Sequence, residues 1–100
     1  MNNKRIYLSP PHIDTEEEQY VKKAFYSNWI TSQGPQVDDF ENQISNMLDS
    51  KHVAVLVSGT AAIHLALILL GIKQNDIVIC QSFTFVGSIN PVAYLGGTPV

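Results

Sequence analysis

Apolar residues recur along this chain in two rhythms. Val37, Phe40, Ile44, Met47 and Leu48 fall at three- and four-residue steps, the spacing that gives a helix one buried face. An earlier helix is expected to begin at Asp14 or Thr15, with Glu17 or Glu18 completing a capping box. It should run to about Tyr26, with Tyr20, Val21, Ala24 and Phe25 on its apolar side. From residue 52 the rhythm changes. HVAVLV over 52–57 and DIVICQ over 76–81 carry apolar residues at successive positions, as strands do when both faces of a parallel sheet are covered. Between them a helix is expected from about Thr60 to Leu70, closed by Gly71. A further helical segment over 85–95 should be closed by Gly96-Gly97, with Asn90 capping and Pro91 at the first helical position. Thr98–Val100 should begin a third strand. Strand, helix, strand, helix, strand is the order of an α/β protein with a mostly parallel sheet.

The connections carry their own signals. Ser9-Pro10-Pro11 blocks helix and favours an extended arm. The segment 27-SNWITSQGPQ-36 reads as a loop with Gly34-Pro35 as its turn. The chain stops at 96-GGTPV-100, inside an expected strand, whereas domain boundaries fall in polar, flexible segments. The expectation is therefore the N-terminal part of a longer protein. Residues 1–35 would form an arm, a helix and a substrate-side loop, and residues 36–100 the start of a larger domain.

Composition narrows the function classes. The chain has 100 residues, 45% hydrophobic and 15% charged, with a formal net charge of -3. That mild charge suggests neither a nucleic-acid nor a membrane surface. The N-terminus lacks the apolar core of a signal peptide. The most apolar run, 61–72, is interrupted by His64 and is short of the roughly 20 residues a membrane span needs. Cys80 is the lone cysteine, so no internal disulfide can form, which fits a reducing, cytoplasmic setting. His12, His52 and His64 are too scattered for a zinc site, and no metal is expected.

The chemistry is expected where the first strand meets its helix, at 57-VSGTAAIHLAL-67. The first N–H groups of a helix have no internal partners and sit at the positive end of its dipole. Gly59 leaves room for an anion, and Ser58 and Thr60 can donate hydroxyl bonds, which suits a phosphate. The plainer alternative is that Ser58 or Thr60 only caps the helix. The second strand ends in 81-QSFTFVGS-88, where Phe83 or Phe85 could face a crevice and stack on a planar ring; alternatively both are core. Together the two strand ends describe a site for a phosphorylated aromatic ring, with pyridoxal phosphate the obvious candidate.

Three motifs in order, 29-WITSQGP-35, 58-SGTAAIHLAL-67 and 82-SFTFVGSINPVAYLGGTPV-100, resemble the DegT/DnrJ/StrS sugar aminotransferases, fold-type I pyridoxal-phosphate enzymes that act on nucleotide-linked keto sugars. The stretch 6-IYLSPPH-12 further resembles the branch that aminates a UDP-linked 4-keto-6-deoxy-N-acetylhexosamine. The resemblance implies that Gly59, Thr60 and Ala61 hold the cofactor phosphate and that Phe85 stacks on its ring. It places Thr31 and Ser32 near the sugar cleft and matches His64 to a common family residue in the helix, although a packing role is the expectation for that side chain. It implies a homodimer and an amino donor such as L-glutamate, and it puts the Schiff-base lysine and the acid that pairs with the ring nitrogen beyond residue 100. On that reading this stretch alone would be inert. Two other readings stand beside it: a sugar dehydratase on the same fold, with histidine in place of the lysine, and a non-catalytic phosphate-binding α/β module.

Overall fold

A computed structural model describes Arg5 and residues 10–100. The expected arm at Ser9-Pro10-Pro11 and the motif 6–12 lie partly outside the described residues. The chain divides into two compact units between Val53 and Ala54.

In the first unit, α1 spans Thr15–Ser27. Asp14 is its N-cap, accepting from the Thr15 amide at 2.6 Å, while the Glu17 carboxylate accepts from the Asp14 amide at 2.7 Å. The capping box is complete, and such caps contribute about 1 kcal/mol. Glu16, Glu17 and Glu18 fill the first turn, where negative charge meets the positive dipole end. A second helix, α2, spans Pro35–Leu48. Gly34-Pro35 is therefore not a turn inside the loop but the start of this helix, with proline at the first position, where its missing N–H costs nothing. Gln36 ties the two helices together, its Nε2 donating to the Tyr20 carbonyl at 2.8 Å.

The second unit holds α3 (Gly59–Leu69), β1 (Ile77–Val78), a 3₁₀ turn (Val86–Ser88), α4 (Asn90–Tyr94) and β2 (Thr98–Pro99). β1 and β2 are parallel, pairing Ile77 with Thr98 and Val78 with Pro99. The Thr98 and Val100 amides donate to the Asp76 and Val78 carbonyls at 2.8 and 2.9 Å, and the Cys80 amide returns to the Val100 carbonyl at 2.7 Å. Pro99 lies between the two donors, so its nitrogen faces away from β1 and the ladder loses nothing. The crossover from β1 to β2 contains the 3₁₀ turn and α4, making a βαβ unit. Both helices end as their glycines predict. Past α3, Gly71 (φ 79°) donates to the Ile68 carbonyl and Ile72 to that of Leu67; past α4, Gly96 (φ 75°) donates to Ala93 and Gly97 to Val92. This pair of bonds is the Schellman closure.

Several expectations shift. Residues 52–57 form no ladder among the described residues: their pattern suits a buried strand, but pairing needs a neighbour, and β1 takes β2. Asn90 does not cap α4; the cap is Ile89, already helical at φ -99°, because the 3₁₀ turn delivers the chain in helical conformation and Pro91 enters one residue later. Among the described residues no side chain of α1 or α2 is fully buried, and Phe25 is 66%, Phe40 55% and Met47 78% exposed. Burial is concentrated where α3 meets α4: Val92 is 1% exposed, and Pro91 and Leu67 are also buried. His64 meets Tyr94 edge-on there, ring centres 5.5 Å apart, which is the packing role expected of it.

Candidate functional site

Ser58 ends the extended segment at φ -163°, and its hydroxyl accepts from the Ala61 amide at 3.2 Å. Its carbonyl accepts from Ala62 at 3.1 Å. The serine thus caps α3, as the plainer reading holds, and uses up the Ala61 donor. The Gly59 and Thr60 amides take no partner among the described residues, so the cap leaves two donors open to an anion. The first turn of α3 carries no acidic residue. Its positive dipole end is therefore not neutralised by its own side chains.

Phe85 stands beside this turn. Ser58, Gly59, Thr60, Ile63, Phe85, Gly87 and Ser88 line one open groove of about 320 Å³. Phe85 is 80% and Phe83 92% exposed. Neither is core, and of the two it is Phe85 that lines the groove with Gly59 and Thr60. A Cβ built on Gly59 would meet nothing within 4 Å, so the glycine is not demanded by crowding from its own chain. What it leaves is open space above the free amides.

Gly87 and Ser88, within the segment expected to be helical, also line this groove. Gly87 is buried, and a Cβ there would stand 2.5 Å from the Thr60 hydroxyl and 3.0 Å from Phe85 Cδ1. The missing side chain lets the hydroxyl and the ring approach the same backbone. A glycine inside an expected helical segment is itself a signal, because it costs helix stability unless close approach requires it. Thr31 and Ser32 lie in an exposed bend of the first unit, where the Trp29 ring packs over Gly34; a Cβ at Gly34 would meet Trp29 Cε3 at 2.7 Å.

The groove fits a phosphate ester carried on a flat ring. It offers two unspent N–H donors at a helix start, the Thr60 hydroxyl, and an accessible aromatic face. Anions at a helix N-terminus and offset stacking of rings are both favourable.

Comparison with known proteins gives these features a context. Residues 11–100 match the DegT/DnrJ/EryC1/StrS aminotransferase family. EpsN of Bacillus subtilis (strain 168), provisionally named a pyridoxal phosphate-dependent aminotransferase, is 52% identical over 98 residues, which is 98% of this chain and 25% of EpsN. GDP-perosamine synthase of Vibrio cholerae is 39% identical over 95 residues, 95% of this chain and 26% of that enzyme. Among solved structures, the pyridoxamine-phosphate form of Spr1654 from Streptococcus pneumoniae, provisionally named a sugar aminotransferase, superposes with a TM-score of 0.81 at 33% identity, covering 97% of this chain and 24% of that one. The chain belongs to the DegT/DnrJ/EryC1/StrS aminotransferase family. The α/β class and the fold-type I likeness expected from the sequence both hold. The chain spans about a quarter of the length of the relatives it matches. Among the described residues no helix is long and apolar enough to cross a membrane.

Proposed function

We propose that this chain is the N-terminal, cofactor-facing part of a pyridoxal-phosphate-dependent aminotransferase that aminates a nucleotide-linked keto sugar for surface glycan synthesis. Residues 1–35 supply the arm and substrate-side loop, and residues 36–100 begin the cofactor-binding large domain. The observation that carries the proposal is the groove in which the free Gly59 and Thr60 amides stand beside the exposed Phe85 ring. Pyridoxal phosphate, when bound, supplies the electron sink for moving an amino group. The amides of Gly59 and Thr60 and the Thr60 hydroxyl would hold its phosphate. Ser58 orders that turn by taking the Ala61 amide. Phe85 would cover one face of the ring and exclude water from it. Thr31 and Ser32 would lie at the sugar side. The donor would be L-glutamate, the assembly a homodimer and the compartment the cytoplasm; the exposed apolar faces of α1 and α2 fit burial against further protein.

The test uses the full-length protein with pyridoxal phosphate, L-glutamate and a UDP-linked 4-keto-6-deoxy-N-acetylhexosamine. Amino sugar and 2-oxoglutarate should appear in equal amounts. Loss of water from the sugar without consumption of glutamate would indicate the dehydratase. A protein that binds inorganic phosphate but not the cofactor would be the non-catalytic module.

A further inference from the structure

Phe85 has a task that conflicts with its surroundings. A stacking ring must stand at a fixed angle, yet this one is 80% exposed and little side-chain packing restrains it. The restraint comes from the turn that carries it. The Phe85 carbonyl accepts from the Ser88 amide at 2.9 Å, and the hydroxyls of Thr84 and Ser88 bond across the same turn at 3.1 Å. Both contacts end on Ser88, three residues beyond, one from Phe85 itself and one from the residue before it. A 3₁₀ turn of three residues is held by poor hydrogen-bond geometry and is marginal without such support. Its carrier residue has no side-chain cap of its own, and Phe85 sits extended at φ -69°, ψ 136°. Fixing those angles fixes the direction in which the ring leaves the backbone.

We infer that Thr84 and Ser88 are positioning residues: their hydroxyl pair locks the turn 84–88 and so presets the Phe85 ring for the cofactor's flat face. The inference rests on reading the groove as a pyridoxal phosphate site. A ring ordered before binding spares the ligand the cost of ordering it, so the pair acts on affinity and on ring geometry. Ser88 is half-buried and lines the groove. Its bond to Thr84 also directs the hydroxyl toward the turn.

The test measures binding of pyridoxal phosphate to the full-length protein, together with the circular dichroism induced in the cofactor's absorption band, which reports ring orientation. Thr84→Val and Ser88→Ala should each weaken binding about three- to tenfold, the range set by loss of one hydroxyl hydrogen bond, and should shrink the induced signal. Thr84→Ser and Ser88→Thr keep the hydroxyl and should restore both to within about twofold. The double variant should bind no worse than either single one, since each already breaks the shared contact. The cofactor-free melting midpoint should stay at the wild-type value. Wild-type affinity and dichroism in both single variants would overturn the inference. So would additive losses, or a loss matched by a lower melting midpoint that Thr84→Ser does not rescue. Phe85→Leu separates this failure from failure of the site itself. If that variant binds weakly while Thr84→Val does not, only the positioning role falls. If it too binds like wild type, the groove reading falls with it.

Discussion

The starts of α2 and α3 look alike in sequence, Gly34-Pro35 and Ser58-Gly59, and do opposite things. At α2 the glycine is the cap. It sits at φ 127°, ψ -179° with no side-chain cap bond, and the Trp29 ring lies against it. The next residue is a proline with no N–H to offer, and Asp38 adds negative charge to the first turn. At α3 the cap is a serine and the glycine is one position inside; two amides are unspent among the described residues and the first turn carries no acid. One start is roofed, donor-poor and already neutralised, while the other is open, donor-rich and electrically unsatisfied. α1 makes the same point with its own Glu16, Glu17 and Glu18. A helix end binds an outside anion only where its own chain has not already filled that role.

The comparison breaks most sharply if α3 is made to resemble α1. Gly59→Asp should weaken pyridoxal phosphate binding by about a hundredfold or more, by repulsion and by occupying the open space. The helix itself should hold or gain about 0.3–1 kcal/mol from the added dipole contact. A cofactor titration paired with a thermal melt of the full-length protein checks both, and equal loss of binding and stability would undo the contrast. Next in size, Gly34→Ala should destabilise by about 1–3 kcal/mol, because that backbone region is nearly glycine-only and the new Cβ meets Trp29; urea unfolding reads this. Asp14→Ala should remove about 1 kcal/mol through the lost capping box without altering cofactor affinity. The smallest effect belongs to Ser58→Ala. It should cost about 0.5–1 kcal/mol as a cap, yet release the Ala61 amide, so that phosphate affinity changes by less than about threefold.

Much of this was legible in the chain. The capping box at Asp14, the stop at Gly71 and the closure at Gly96-Gly97 are local devices, each decided by a few neighbouring residues, and they stand where the spacing puts them. The Ser58 cap at the start of α3 is local in the same way. Less legible was anything set by residues distant in sequence. The 52–57 stretch reads as a strand, but a ladder depends on a partner that no local pattern specifies. Gly87 marks itself as unusual within a helical segment, but its reason is Thr60, 27 positions away by residue number, whose hydroxyl would stand 2.5 Å from a Cβ there. The apolar stripe on α2 predicts a buried face, yet periodicity shows only which side is greasy, not what covers it.

Pro99 carries a consequence for how the sheet can be extended. Its ring takes away the hydrogen that a newcomer strand would look for on the outer flank of β2, the side turned from β1. That flank is a poor template for edge-to-edge joining, with another copy or with anything else. Any further strands are therefore steered to the β1 side, and one imino acid gives the sheet a border and a direction of growth.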